Sequence, residues 1–110
     1  MNLNGKQRAY LISLAMKLDA TFQVGKGSIT PEYCEAIDEA LSKKEMIKIS
    51  VLKNCDDEPK ELGETLAGRT RSTLVQVIGK KIVLYRPAKD SEKRKIVIPR
   101  AQKTEDSSLE

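Results

Sequence analysis

Residues 74–86, "LVQVIGKKIVLYR", set two aliphatic runs on either side of Gly79-Lys80. No other stretch restricts the fold of this chain as strongly. Glycine at the first of two central positions suits a type II′ hairpin turn, whose twist matches that of the flanking strands. The implied register opposes Ile78 to Lys81, Val77 to Ile82 and Val75 to Leu84. Val75, Val77, Ile82 and Leu84 then share a purely aliphatic side, which has to be core. The other side pairs Gln76 with Val83 and Leu74 with Tyr85, and reads as a half-polar open face.

The remaining elements emerge from periodicity and caps. "NGKQRAYLISLAMKLDA" carries Leu11, Ile12, Leu14, Ala15 and Leu18 at helical spacing, and Asp19 and Thr21 end it. "TFQVG" is a short strand with Phe22 and Val24 on one face. Thr30 is a good N-cap and Pro31 a good first helical residue. The helix they open buries Tyr33, Ile37, Ala40 and Leu41 and leaves Glu32, Glu35, Asp38 and Glu39 outside. "MIKISVL" alternates as a strand, with Ile47, Ile49 and Val51 to one side. "DDEPKELGETLAGRT" is a third helix, whose early acids complement its positive N-terminus and need no catalytic explanation. The order is αβαβαββ. Helical crossovers between strands predict a four-stranded mixed sheet with one antiparallel hairpin. With three helices packed on the aliphatic face, the fold class is a two-layer α/β sandwich whose other face stays open.

Composition excludes several function classes. A chain of 110 residues is one domain, expected over residues 1–99. The polar tail of residues 100–110 reads as disordered, with Leu109-Glu110 a candidate vector scar. No apolar run approaches the ~20 residues of a membrane span and no apolar leader block opens the chain, so the expectation is a cytoplasmic protein with no membrane partner. Cys34 and Cys55 read as a buried thiol and a loop thiol rather than a disulfide. A structural zinc site needs a full tetrahedral set of Cys or His ligands, and histidine is absent. No metal or other cofactor is expected. An enzyme is not expected either: there is no histidine, no GxxxxGK[ST] nucleotide loop, and no carboxylate left over from the caps and outer faces. A small-molecule substrate drops out with it.

The net charge of +4 hides an asymmetry. Residues 32–67 carry ten acids against five bases, whereas residues 69–100 carry ten bases against Asp90 and Glu92. The first 31 residues add a further +3. Positive charge in both terminal portions suits a polyanion if the fold brings them together. In "FQVGKGSITPEY", Lys26 stands between Gly25 and Gly27 just before the second helix. A strand-to-helix turn uses glycine simply to turn, but turning gives no role to the lysine. A loop that approaches a phosphate would use both.

Together, "VQVIGKKIVLYR", "KKEMIKISVL" and "FQVGKGSIT" resemble the CRM domain, named for chloroplast RNA splicing and ribosome maturation, in the pattern of its free-standing bacterial YhbY-like members. The resemblance spans about residues 3–99 and is most specific in the hairpin. It implies a fold similar to the C-terminal domain of translation initiation factor three. It also implies binding of ribosomal RNA in precursors of the large subunit, during ribosome assembly. The family's GxxG loop, thought to contact RNA backbone as the KH loop does, maps onto Gly25, Lys26, Gly27 and Ser28. Serine replaces the last glycine; its hydroxyl can donate to phosphate, while a left-handed backbone there would be strained.

Other candidate RNA contacts are Lys6, Arg8 and Lys17 along the first helix, expected to flank the loop, and Arg69 and Arg71 at the end of the third. Lys80 and Lys81 on the hairpin turn and Arg86 after it join them, with a basic run at Lys89, Lys93, Arg94 and Lys95 as a gripping arm. Tyr85, on the open face, is a candidate for stacking on a base. The expected protein is a monomer. The rival reading is a protein-interaction module that docks through the open sheet face or the acidic helices.

Overall fold

The structure, a computed structural model, describes residues 3–27, 29–88 and 96. Its elements run α1 (Gly5–Ala15), β1 (Phe22–Val24), α2 (Pro31–Lys44), β2 (Met46–Val51), α3 (Pro59–Thr70), β3 (Thr73–Ile78) and β4 (Lys81–Tyr85). The sheet order is β1-β2-β4-β3, with β1 parallel to β2 and the other pairs antiparallel. The α/β class, the element order and the four-stranded mixed sheet are as the sequence predicts. Among the described residues no helix is long and apolar enough to cross a membrane, and both cysteines are free. The expected tail of residues 100–110 lies outside the described residues.

Local chemistry explains the elements. Asn4 caps α1 reciprocally with Gln7, each side chain accepting from the other's backbone N–H. Thr30 accepts from the Tyr33 N–H at 3.0 Å, and Pro31 opens α2. At the hairpin, Gly79 takes φ +57 whereas Lys80 stays out of the left-handed region, the pattern a type II′ turn requires.

The placement of α1 departs from expectation. α2 and α3 cover one face of the sheet over Val24, Ile47, Ile49, Val51, Ile82 and Leu84. α1 packs on the opposite face, where Leu11 and Ala15 meet Met46, Val75, Val83 and Tyr85. A register shift between Leu74 and Gln76 accompanies this placement. Below Val77–Ile82 and Gln76–Val83, Leu74 rather than Val75 opposes Leu84. This bulge sends Leu74 toward the α2–α3 core and Val75 to the α1 side. Val83 and Tyr85, expected on an open face, are each 1% exposed. Tyr85 is therefore a core residue and no stacking platform.

Glu45 joins α2 to β2 and holds the segment after β4. It ends α2 in a left-handed conformation, φ 66, and its N–H donates to the Leu41 carbonyl. It is 1% exposed. Its own carbonyl accepts from the Arg86 N–H, and its carboxylate accepts from the N–H groups of Ala88 and Ile96.

Candidate nucleic-acid interface

Parallel pairing of β1 with β2 brings their ends together at one end of the sheet. The Leu52 N–H donates to the Val24 carbonyl at 2.8 Å, which sets the turn after β1 beside the loop after β2. The Val51 N–H donates to the Lys80 carbonyl at 2.7 Å, which sets the hairpin turn on the other side of β2. Three turns therefore stand side by side, carrying exposed Lys26, Lys53 and Lys80, with Lys81 at the start of β4.

The turn after β1 is shaped by its two glycines. A Cβ on Gly25 would lie 3.0 Å from the Asn54 side-chain oxygen, so glycine permits the close approach to the neighbouring loop. Gly27 takes φ +94 with nothing within 4 Å of the space a side chain would fill. Its backbone is thus open to a ligand, in a conformation glycine adopts at least cost. Ser28 lies outside the described residues.

An aromatic pair braces the base of this loop. Phe22 on β1 meets Tyr33 in the first turn of α2 edge to face, with centroids 6.4 Å apart. Burial, and secondarily the Coulomb effect of Cys34, pushes the Tyr33 phenol up to about 12. An open groove of about 280 Å³ is lined by Ile29, Asp57, Glu61, Leu62 and Thr65. Two carboxylates in that lining oppose a phosphate, so the cationic surface is the loop end and not the groove.

The other candidates do not gather there. Arg69 and Arg71, both exposed, end α3 beside the start of β3, at the opposite end of the sheet. Arg86 is at that end too, but its guanidinium donates to the Asp38 carboxylate, the Asp38 and Thr70 carbonyls and the Ser42 hydroxyl. Arg8 donates to the Leu74 and Val75 carbonyls at 3.0 and 2.6 Å, on the strand farthest from β1. It fastens α1 to the bulge and does not flank the loop. Lys6 and Lys17 are exposed near either end of α1. The basic run at Lys89, Lys93, Arg94 and Lys95 lies outside the described residues.

Lys53 escaped the sequence reading. Its surroundings, "KNCDDEPK", are net acidic, and only the β1–β2 pairing sets it beside Lys26. The fold sorts the charge only in part, because exposed Asp56, Asp57 and Glu58 follow Lys53 in the loop after β2. The exposed acids of α2 and α3, among them Glu32, Glu35, Glu39, Glu61 and Glu64, belong to the helical layer on one face. Neither α1 nor any strand contains a carboxylate.

Comparison with known proteins agrees with this architecture. The CRS1/YhbY (CRM) domain model matches residues 3–86. The chain is 44% identical over 90 residues to "Probable RNA-binding protein YqeI" of Bacillus subtilis, covering 82% of this chain and 94% of that one. It is 36% identical over 99 residues to a protein of Haemophilus influenzae named "RNA-binding protein", covering 89% and 96% respectively. A solution structure superposes with a TM-score of 0.73 at 49% identity, covering 89% of this chain and all of the other. It is that of the hypothetical protein SAV1595 from Staphylococcus aureus, whose name proposes RNA binding.

Proposed function

This chain belongs to the CRS1/YhbY (CRM) domain family, and we propose that it binds RNA through the loop end of its sheet. The proposed target is ribosomal RNA in precursors of the large subunit, during ribosome assembly. The observation that carries the reading is the pair of backbone bonds, Leu52 to Val24 and Val51 to Lys80, that sets three lysine-bearing turns in a row, with an open glycine in the first. Lysines contribute the sequence-independent attraction of a polyanion, and a bare glycine backbone lets a phosphate come close. The names of two relatives support RNA as the partner; the ribosomal target rests on the family resemblance. In this proposal the protein acts in the cytoplasm as a monomer, using neither cofactor nor small-molecule substrate.

Sedimentation of cell extract tests the target. The protein should migrate with immature large-subunit particles at low salt and leave them as salt rises. Migration with small-subunit particles, or recovery only in the particle-free fractions, would overturn the ribosomal reading.

A further inference from the structure

A row of side chains crosses all four strands near the loop end. Gln23 opposes Ser50, Ser50 opposes Lys81, and Lys81 opposes Ile78. Their neighbours Phe22, Val24, Ile49, Val51, Val77 and Ile82 point into the α2–α3 core, so the row itself faces the α1 side. α1 covers only the far half of that face, over Met46, Val75, Val83 and Tyr85, and Arg8 pins it there. The row is left open. Gln23 and Lys81 are exposed, Ser50 is half-buried, and Ile78 is 59% exposed. Lys48, two residues before Ser50 on β2, faces the same way.

The chemistry of the row suits a ribose–phosphate backbone. Lys81 Nζ donates to Ser50 Oγ at 2.9 Å, which holds the ammonium over the sheet and leaves the serine its own proton to donate. Gln23 offers both a donor and an acceptor. A ribose 2′-hydroxyl is likewise donor and acceptor, and it is the group that tells RNA from DNA. No carboxylate stands on any strand to repel phosphate.

We infer that this row continues the loop-end site and takes single-stranded RNA, with Lys81 on a phosphate and Gln23 and Ser50 on the 2′-hydroxyl. The inference rests on the reading that the chain binds RNA, and deepens it by locating ribose discrimination.

Fluorescence anisotropy with a labelled single-stranded RNA, and DNA of the same sequence, tests it on the full chain at one fixed salt. The double variant Gln23→Ala/Ser50→Ala should weaken RNA binding by roughly five-fold and leave DNA binding unchanged, the scale of one or two lost hydrogen bonds. Lys81→Gln should weaken both about equally. All three positions are at least partly exposed, and thermal midpoints within a few degrees of the parent would verify folding. Lys26→Ala serves as the loop reference. If Lys26→Ala weakens RNA binding while the row variants match the parent on both probes, the row is no part of the site and the RNA-binding reading stands. If the parent itself binds no RNA, that reading falls and the row with it.

Discussion

Arg86 and Asp38 lie 48 residues apart, yet one guanidinium donates to both the side chain and the backbone carbonyl of Asp38. The same group reaches the Thr70 carbonyl at 2.7 Å and the Ser42 hydroxyl at 2.8 Å. One side chain at the end of β4 thus ties the sheet to the middle of α2 and the end of α3. Only a planar guanidinium presents donors in that fork.

Arg86→Lys should therefore cost about 1–3 kcal/mol, close to the cost of Arg86→Ala, because one ammonium cannot replace several directed bonds. Urea unfolding of both variants checks this. A lysine variant as stable as the parent would mean that charge alone suffices. Any RNA-binding defect of Arg86 variants has to be read beside this loss of stability.

Val83 separates an open sheet face from a covered one. It is 1% exposed beneath α1, whereas Val77 is only half-buried. Val83→Ala should cost about 1–3 kcal/mol and more than Val77→Ala, with Leu84→Ala the most costly at about 2–5 kcal/mol. The reverse order of Val83 and Val77 in denaturant unfolding would remove α1 from that face.

At Glu45 two effects oppose each other. Glycine there would relieve a left-handed conformation worth about 1–2 kcal/mol. It would also delete a buried carboxylate that accepts two backbone N–H groups, each such bond worth about 1.5–3 kcal/mol. The bonds outweigh the strain. Glu45→Gly should destabilise the protein and speed hydrogen exchange at the Ala88 and Ile96 amides. Unchanged exchange at both would dissociate Glu45 from the segment after β4.

Tyr33 predicts an alkaline weakness. Its phenol is raised by burial to about 12, above the unfolded value near 10. The native state then holds a proton that the unfolded state has lost, so stability falls as pH rises from about 10 to 12. The Tyr33 hydroxyl has no protein partner among the described residues. Tyr33→Phe should leave stability at pH 7 within about 0.5 kcal/mol and flatten the alkaline decline. Thermal midpoints across that range check it; an identical decline in the variant would assign it to other groups.

Much of this fold is legible in the sequence, for local reasons. Gly79 and the flanking aliphatic runs specify the hairpin, and Thr30-Pro31 specifies the start of α2. The face α1 occupies is not legible, because Met46, Val83 and Tyr85 alternate with Lys48 and Gln76 on a face that reads as half-polar, and no local signal marks the bulge that adds Val75 to it. Val83 and Tyr85 pass as an open face, although α1 covers them. The candidate site is legible in its glycines and Lys26. Arg8 and Arg86 look like free surface charge, since their acceptors lie 16 to 67 residues away in sequence. Lys53 is hidden among acids, and the strand pairing alone reveals it.

The central claim is that RNA meets the loop end of the sheet, and its most direct test compares the two ends under titrated salt. The parent should bind structured RNA with a log–log salt slope of magnitude about 3.5–4.5, corresponding to about five neutralised phosphates. Lys26→Gln/Lys80→Gln and Arg69→Gln/Arg71→Gln each remove two charges, at opposite ends. The lysine pair should lower the slope by about 1.4–1.8 and affinity by about ten-fold or more, while the arginine pair leaves the slope within about 0.5 of the parent. A flat slope in the parent, or a greater loss from the arginine pair, would contradict the account.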